Sequence, residues 1–234
     1  MNELEIKKLA ERIKAKGKMV FYNPKPLHSY EYLAEKSLGS NTYRGFHRID
    51  TTKQGSKAVF VSFFLQNKEM IIKRLNKVKN EDELHEFGNE VCKTLISKLS
   101  NIKSEQLESF NKTRKPVDIM FEHMISMGND FSEIRNTITE FLFLPLDSQM
   151  FQSEFVFNDS EIEHLKIDRK YTFTNIKTEA HYLIIQKFLK LKAKKLGLKA
   201  RILFDLEWNK RYESDGSNLF LTNPKIIHNT KNNC

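Results

Sequence analysis

The alternation of apolar and polar positions divides the chain into helical and extended stretches. Leu4, Ile6, Leu9 and Ile13 recur at near-helical spacing over residues 3–16, and Gly17 closes the run. MVFY (19–22) reads as a short strand stopped by Asn23-Pro24-Lys25-Pro26, and residues 29–35 as a helical turn before Gly39. Residues 42–65 read as a hairpin, with TYRGFHRID as one arm, TTKQGSK as the turn and AVFVSFFL as a second arm. Val59, Phe60, Val61, Phe63 and Phe64 are too continuous for one face to meet water, which predicts a central strand.

From 68 to 110 the period becomes helical. KEMIIKRLNKV forms one helix, and Leu84, Phe87, Val91, Leu95 and Leu99 keep a 3–4 spacing in the next. Pro116 reads as a first-turn residue of a third helix, whose face carries Val117, Met120, Phe121, Met124 and Ile125 before Gly128. Asp130 is placed to cap a helix over 131–141 that runs into strand-like FLFLPL. YTFTNI (171–176) reads as a strand. Thr178 and Glu179 then open a helix to Leu196, Gly197 stops it, and ARILFDLEW (200–208) is a strand. The expected architecture is therefore mixed α/β, a mostly buried central sheet flanked by helices, with a C-terminal βαβ-like unit. No repeat or linker interrupts the 234 residues, so a single domain is expected, with one more short strand and a polar tail from about 224.

Composition adds a sign. Lysine and arginine number 39 against 30 acids, a formal +9, which attracts polyanions and makes nucleic acid, DNA first, the expected partner. Eighteen Phe residues imply a real core. Cys92 and Cys234 form no CxxC pair, and the N-terminus has no apolar leader run. A cytoplasmic protein without a membrane span is expected. P-loop, GxGxxG, HExxH, GxSxG and paired CxxC motifs do not occur, which argues against nucleotide hydrolysis, dinucleotide redox chemistry and zinc fingers.

Three constellations carry candidate chemistry. Asp147 follows FLFLPL, while Asp205 and Glu207 stand two apart on the last long strand and so share a sheet face. Such a trio at strand ends suits Mg²⁺, with Lys210 and Arg211 meeting the phosphate. Solvated strand-end carboxylates are the plainer alternative. In TYRGFHRID, Arg44 and Arg48 offer phosphate contacts beside His47, and Tyr43, His47 and Asp50 could form a metal-independent site acting on DNA. Residues three apart on a strand face opposite sides, which opposes a direct His47–Asp50 pair.

The helical stretch 187–201 carries seven basic residues and no acid, with Lys187, Lys190, Lys194 and Lys195 on one side. Asp118 and Glu122, with His123 adjacent, suggest a solvent-facing polar strip, and Met120, Met124 and Met127 core filling. The function expected from these residues is a Mg²⁺-dependent DNA endonuclease of restriction or phage-defence type, dimeric if its site is symmetric. Its rivals are a non-catalytic nucleic-acid-binding protein and the Tyr43/His47/Asp50 enzyme.

Overall fold

A computed structural model describes residues 1–24, 27–43 and 45–207, the side chains of Ser40 and Asn41 excepted. The structure is mostly helical, 64%, with 2% strand, and the described residues form no sheet, which overturns the α/β expectation. Extended pairing among the described residues is limited to isolated bridges, His28 with Gly128 and Arg48 with Ile102.

Among the described residues ten α-helices follow in order. They are α1 (Glu3–Gly17), α2 (Tyr30–Lys36), α3 (Ser56–Gln66), α4 (Lys68–Leu75), α5 (Glu81–Lys98), α6 (Phe110–Met127), α7 (Arg135–Thr139), α8 (Ser148–Gln152), α9 (Asp159–His164) and α10 (Glu179–Lys195). Several begin on side-chain caps. Asn2 and Glu5 form a reciprocal capping box on α1, Asn80 caps α5, and Thr178 caps α10. Gly197, at φ +69°, takes the left-handed conformation just past α10, as its position in the sequence predicts.

The centre is α6. Apart from Phe110 and Lys115, all of its residues are buried, including Arg114, Asp118, Glu122 and His123. A helix buried on every side needs neighbours all round. Here α2, α5, α7, α10 and a π-helical turn at Lys18–Tyr22 pack on it. Pro116 lies inside α6 rather than in its first turn. It has no N–H for the carbonyl of Lys112. The next carbonyl, Thr113 O, accepts a hydrogen bond from Cys92 Sγ at 3.5 Å.

The expected strands fold otherwise, for a shared reason. AVFVSFFL is α3, with Phe60, Phe63 and Phe64 buried at i, i+3, i+4. Residues 201–207 form a 3₁₀ helix with Ile202, Leu203, Phe204 and Leu206 buried, and MVFY lies in the π-helical turn. YTFTNI is a turn region, held by Thr172 Oγ1 donating to Asn175 Oδ1 at 3.0 Å. A short run that is apolar on every side has no period to separate strand from buried helix. Asp130 sits in a 3₁₀ turn before α7 instead of capping a long helix. The closing strand and tail lie outside the described residues.

FLFLPL (141–146) begins on the turn that closes α7 and then runs without helix or strand pairing. Side chains supply its ladder instead. Gln186 on α10 grips Leu144 twice, accepting from its N–H at 3.1 Å and donating to its carbonyl at 2.7 Å. Arg201 donates to the carbonyls of Leu142 and Phe141, both at 3.0 Å, and Asn111 donates to Leu146 O at 3.0 Å.

Two glycines set the closest approaches. A Cβ at Gly17 would lie 2.9 Å from Leu203, so Gly17, the last residue of α1, is also where the 201–207 helix lies close against it. At Gly88 a Cβ would meet the Arg114 guanidinium carbon at 2.5 Å. Gly88→Ala therefore gains about 1 kcal/mol of helix propensity and loses more by driving a buried cation off its partners. The expected net loss is roughly 1–3 kcal/mol, read as a lower urea midpoint. A midpoint equal to or above the wild type would show that the approach is not restrictive.

Candidate functional site

Two polar assemblies stand out, one internal and one at the surface. The internal one joins α5, α6 and α10. Arg114 Nε donates to Asp118 Oδ1 at 2.7 Å, and the Tyr182 hydroxyl donates to Asp118 Oδ2 at 2.7 Å. Both carboxylate oxygens thus accept, as an ionised carboxylate does. Burial pushes the Asp118 carboxyl up, while Arg114 and Tyr182 pull it back. Burial alone would lower the Arg114 guanidinium, yet Asp118 and its neighbours raise it on balance, so it stays charged. Its Nη1 donates to His85 O at 3.0 Å and Asn89 Oδ1 at 2.8 Å, while Nη2, without a hydrogen-bond partner, packs against Gly88.

Toward solvent the same assembly continues to His85 and Glu179. His85 Nε2 lies 2.7 Å from Glu179 Oε1, which also accepts from Asn89 Nδ2 at 2.6 Å. His85 Nδ1 faces Arg114 Nη1 at 3.4 Å. Burial, with Arg114 second, holds the imidazole below its usual range against the opposing pull of Glu179. A neutral ring with Nε2–H on the carboxylate and Nδ1 toward the guanidinium satisfies both contacts. Both ring nitrogens are then engaged, and neither is presented to a substrate. This assembly is a lock between helices rather than a reaction centre.

The surface assembly is a groove made of two depressions. The larger, about 540 Å³, is lined by Phe141, Lys190, Leu191, Lys194, Leu198 and Lys199 among others. The smaller, about 320 Å³, is lined by Lys14, Lys18, Tyr22, Asn136, Lys199 and Leu203. They share Glu140 and Lys199. Three places in the chain supply the cations: the end of α1, the last turns of α10 and the loop after it. Lys190 is paired with Glu81, which also holds Arg201 at 2.7 Å. Lys18, Lys194 and Lys199 make no ion pair among the described residues, and Lys199 Nζ lies 5.0 Å from the Tyr22 ring centre. The lining mixes lysines with apolar and aromatic side chains.

The residues expected from sequence are distributed unevenly. Lys190 and Lys194 line the groove, while Lys187 and Lys195 stand exposed on α10 outside its lining. Asp147 caps α8 through Gln149 and Met150 N–H and pairs with Lys115 at 3.0 Å. Asp205 is buried, and Glu207 accepts from Ser153 Oγ at 2.5 Å, burial raising its carboxyl. Both lie on the 3₁₀ turn, where positions two apart do not share a face, so the strand-face argument falls with the strand. Among the described residues no group of three or more His, Cys, Asp or Glu is placed to hold a metal ion. Lys210, Arg211 and Arg44 lie outside the described residues.

The TYRGFHRID arm is not a hairpin arm. Tyr43 is buried against Phe60, His47 is exposed, and Asp50 accepts from Thr52 Oγ1 at 2.7 Å. Arg48 Nη1 folds back onto Thr51 O at 2.9 Å. The polar strip expected at Asp118, Glu122 and His123 is buried, not solvated. Sequence reasoning missed Lys14, Lys18, Tyr22 and Phe141, which are far from the 187–201 run in the chain. It also missed Arg114, although its place four residues before Asp118 is a readable ion-pair spacing. No known protein family, curated protein or solved structure matches the chain. Among the described residues no helix is long and apolar enough to cross a membrane.

The internal lock predicts a pH effect. The unfolded imidazole takes its proton near pH 6.5, as an unperturbed histidine does, whereas folded His85 takes it only at lower pH. Just below pH 6.5 the unfolded chain binds more protons, so the stabilisation is full above that value and lost as pH falls through the window. His85→Gln should lower stability at pH 7 and flatten its fall toward pH 5 in urea titrations. Parallel curves for the two proteins would remove His85 from the account.

Proposed function

We propose that the protein is a cytoplasmic nucleic-acid-binding protein that holds phosphates along the groove between α1 and α10. The supporting observation is that five lysines from distant parts of the chain, Lys14, Lys18, Lys190, Lys194 and Lys199, line two depressions with Glu140 as the acid they share. Gathered cations cost folding energy through mutual repulsion, and a polyanion offsets it by releasing its own counterions on binding. The overall +9 adds long-range attraction of the same sign.

Binding in this way requires no metal. A Mg²⁺-dependent endonuclease built on Asp147, Asp205 and Glu207 draws no support from their placement, since Asp147 is engaged as a cap and an ion-pair partner. The same holds for an enzyme using Tyr43, His47 and Asp50, whose side chains turn to separate local partners.

Fluorescence anisotropy with a labelled DNA oligonucleotide tests the reading. Wild-type affinity should fall steeply as salt rises. Lys194→Glu combined with Lys199→Glu should weaken binding about tenfold or more and reduce the salt slope by about two. No binding by the wild type at low salt, or a double variant that binds as the wild type does, refutes the proposal.

A further inference from the structure

The exposed face of α10 does not look like a surface made for phosphates alone. Residues 183, 184, 187, 191, 194 and 195 fall within one arc of a helix with 3.6 residues per turn. That arc alternates cations with large apolar side chains. Ile184 is 56% exposed and Leu191 57%, with Leu183 beside them, and Lys187, Lys194 and Lys195 lie between and after them. Leu191 and Lys194 also line the larger depression, so this arc and the groove are one continuous surface. Inside the groove the pattern repeats, with half-buried Phe141 and Tyr22 set among the lysines.

Duplex nucleic acid hides its bases in the stack and offers mainly phosphates to a convex helix face. Exposed Ile and Leu gain little from a phosphate backbone. An unpaired strand exposes both the charged backbone and the flat apolar faces of its bases. Cations interleaved with apolar and aromatic side chains match that pair of features. We infer that the ligand of this surface is single-stranded nucleic acid, its phosphates on Lys187, Lys194 and Lys199 and its bases against Ile184, Leu191 and Phe141. This rests on the nucleic-acid reading above and narrows it to unpaired strands.

The test compares a fluorescein-labelled oligodeoxythymidine of roughly 16 nucleotides with a duplex of equal length, by anisotropy at one low salt concentration. Wild type should bind the single strand about tenfold tighter or more. Ile184→Ser combined with Leu191→Ser should lose about tenfold on the single strand and stay within about twofold on the duplex. Both residues are exposed, so Tm should hold. Leu191→Gln alone serves as a milder second variant, expected to shift affinity the same way. The lysine double variant should weaken both ligands. Equal wild-type affinity for the two forms overturns the single-strand inference. So does unchanged single-strand affinity in both apolar variants, and if the lysine variant still weakens binding, the broader reading survives either result. Absence of any binding by the wild type overturns both.

Discussion

Arg114 and Arg201 bring two guanidinium groups into the interior, and both lie over the ring of Phe143, at 5.2 and 4.1 Å from its centre. Each is fully buried, and each ties together elements remote in sequence. Arg114 links α6 to α5 and, through Asp118 and Tyr182, to α10. Arg201 links the last 3₁₀ turn to the 141–146 segment and to Glu81 at the start of α5. A buried cation stripped of one partner is worth several kcal/mol of destabilisation, whereas an intact pair adds little net stability. Such charges therefore select one arrangement of the helices more than they strengthen it. Phe143 is the shared surface on which that arrangement is fixed.

The 141–146 segment shows what Arg201 does there. It is largely buried, and no sheet forms among the described residues, so its N–H and C=O groups have no strand there to pair with. Gln186, Arg201 and Asn111 stand in for one. Leaving those groups unmet would cost about 1–3 kcal/mol each. The result positions the surface as well as the core, because Arg201 and Phe141, held by this pairing, are walls of the larger depression. The interior lock and the exterior groove thus share a side.

The long helices α5, α6 and α10 were legible in their 3–4 spacing, and Thr178 marked the start of α10, whereas α6 begins before Pro116, which reads from sequence as a first-turn residue. AVFVSFFL and RILFDLE were not legible, since burial on several sides erases the period that distinguishes helix from strand. FLFLPL, expected to be strand-like, carries no strand, and nothing in the sequence said that side chains would meet its backbone. The groove was half legible. Lys190, Lys194 and Lys199 belong to a conspicuous basic run, whereas Lys14 and Lys18 join them through the packing of the 201–207 helix on α1, where Leu203 lies against Gly17. A glycine after a helical run is ordinarily read as a stop, and nothing local says that this one is a contact.

The cations divide by type, and the division bears on how the surface can read a ligand. Among the described residues the buried cations are Arg114, Arg135, Arg201 and Lys112. The arginines hold backbone carbonyls with their planar forks, Arg135 taking Ile125 O at 2.8 Å and Gly128 O at 2.7 Å. Lys112 is the exception, and burial pushes its ammonium down to about 8, as expected for a compact, strongly hydrated charge taken out of water. The groove, by contrast, is lined by lysines, and Arg201 in its wall faces inward to Glu81 and Phe141. Lysine meets phosphate as a point charge, without the paired geometry that lets arginine recognise a guanine edge. A ligand held there would be gripped by its backbone and the faces of its bases, so binding on this surface would depend on strand state and salt more than on sequence.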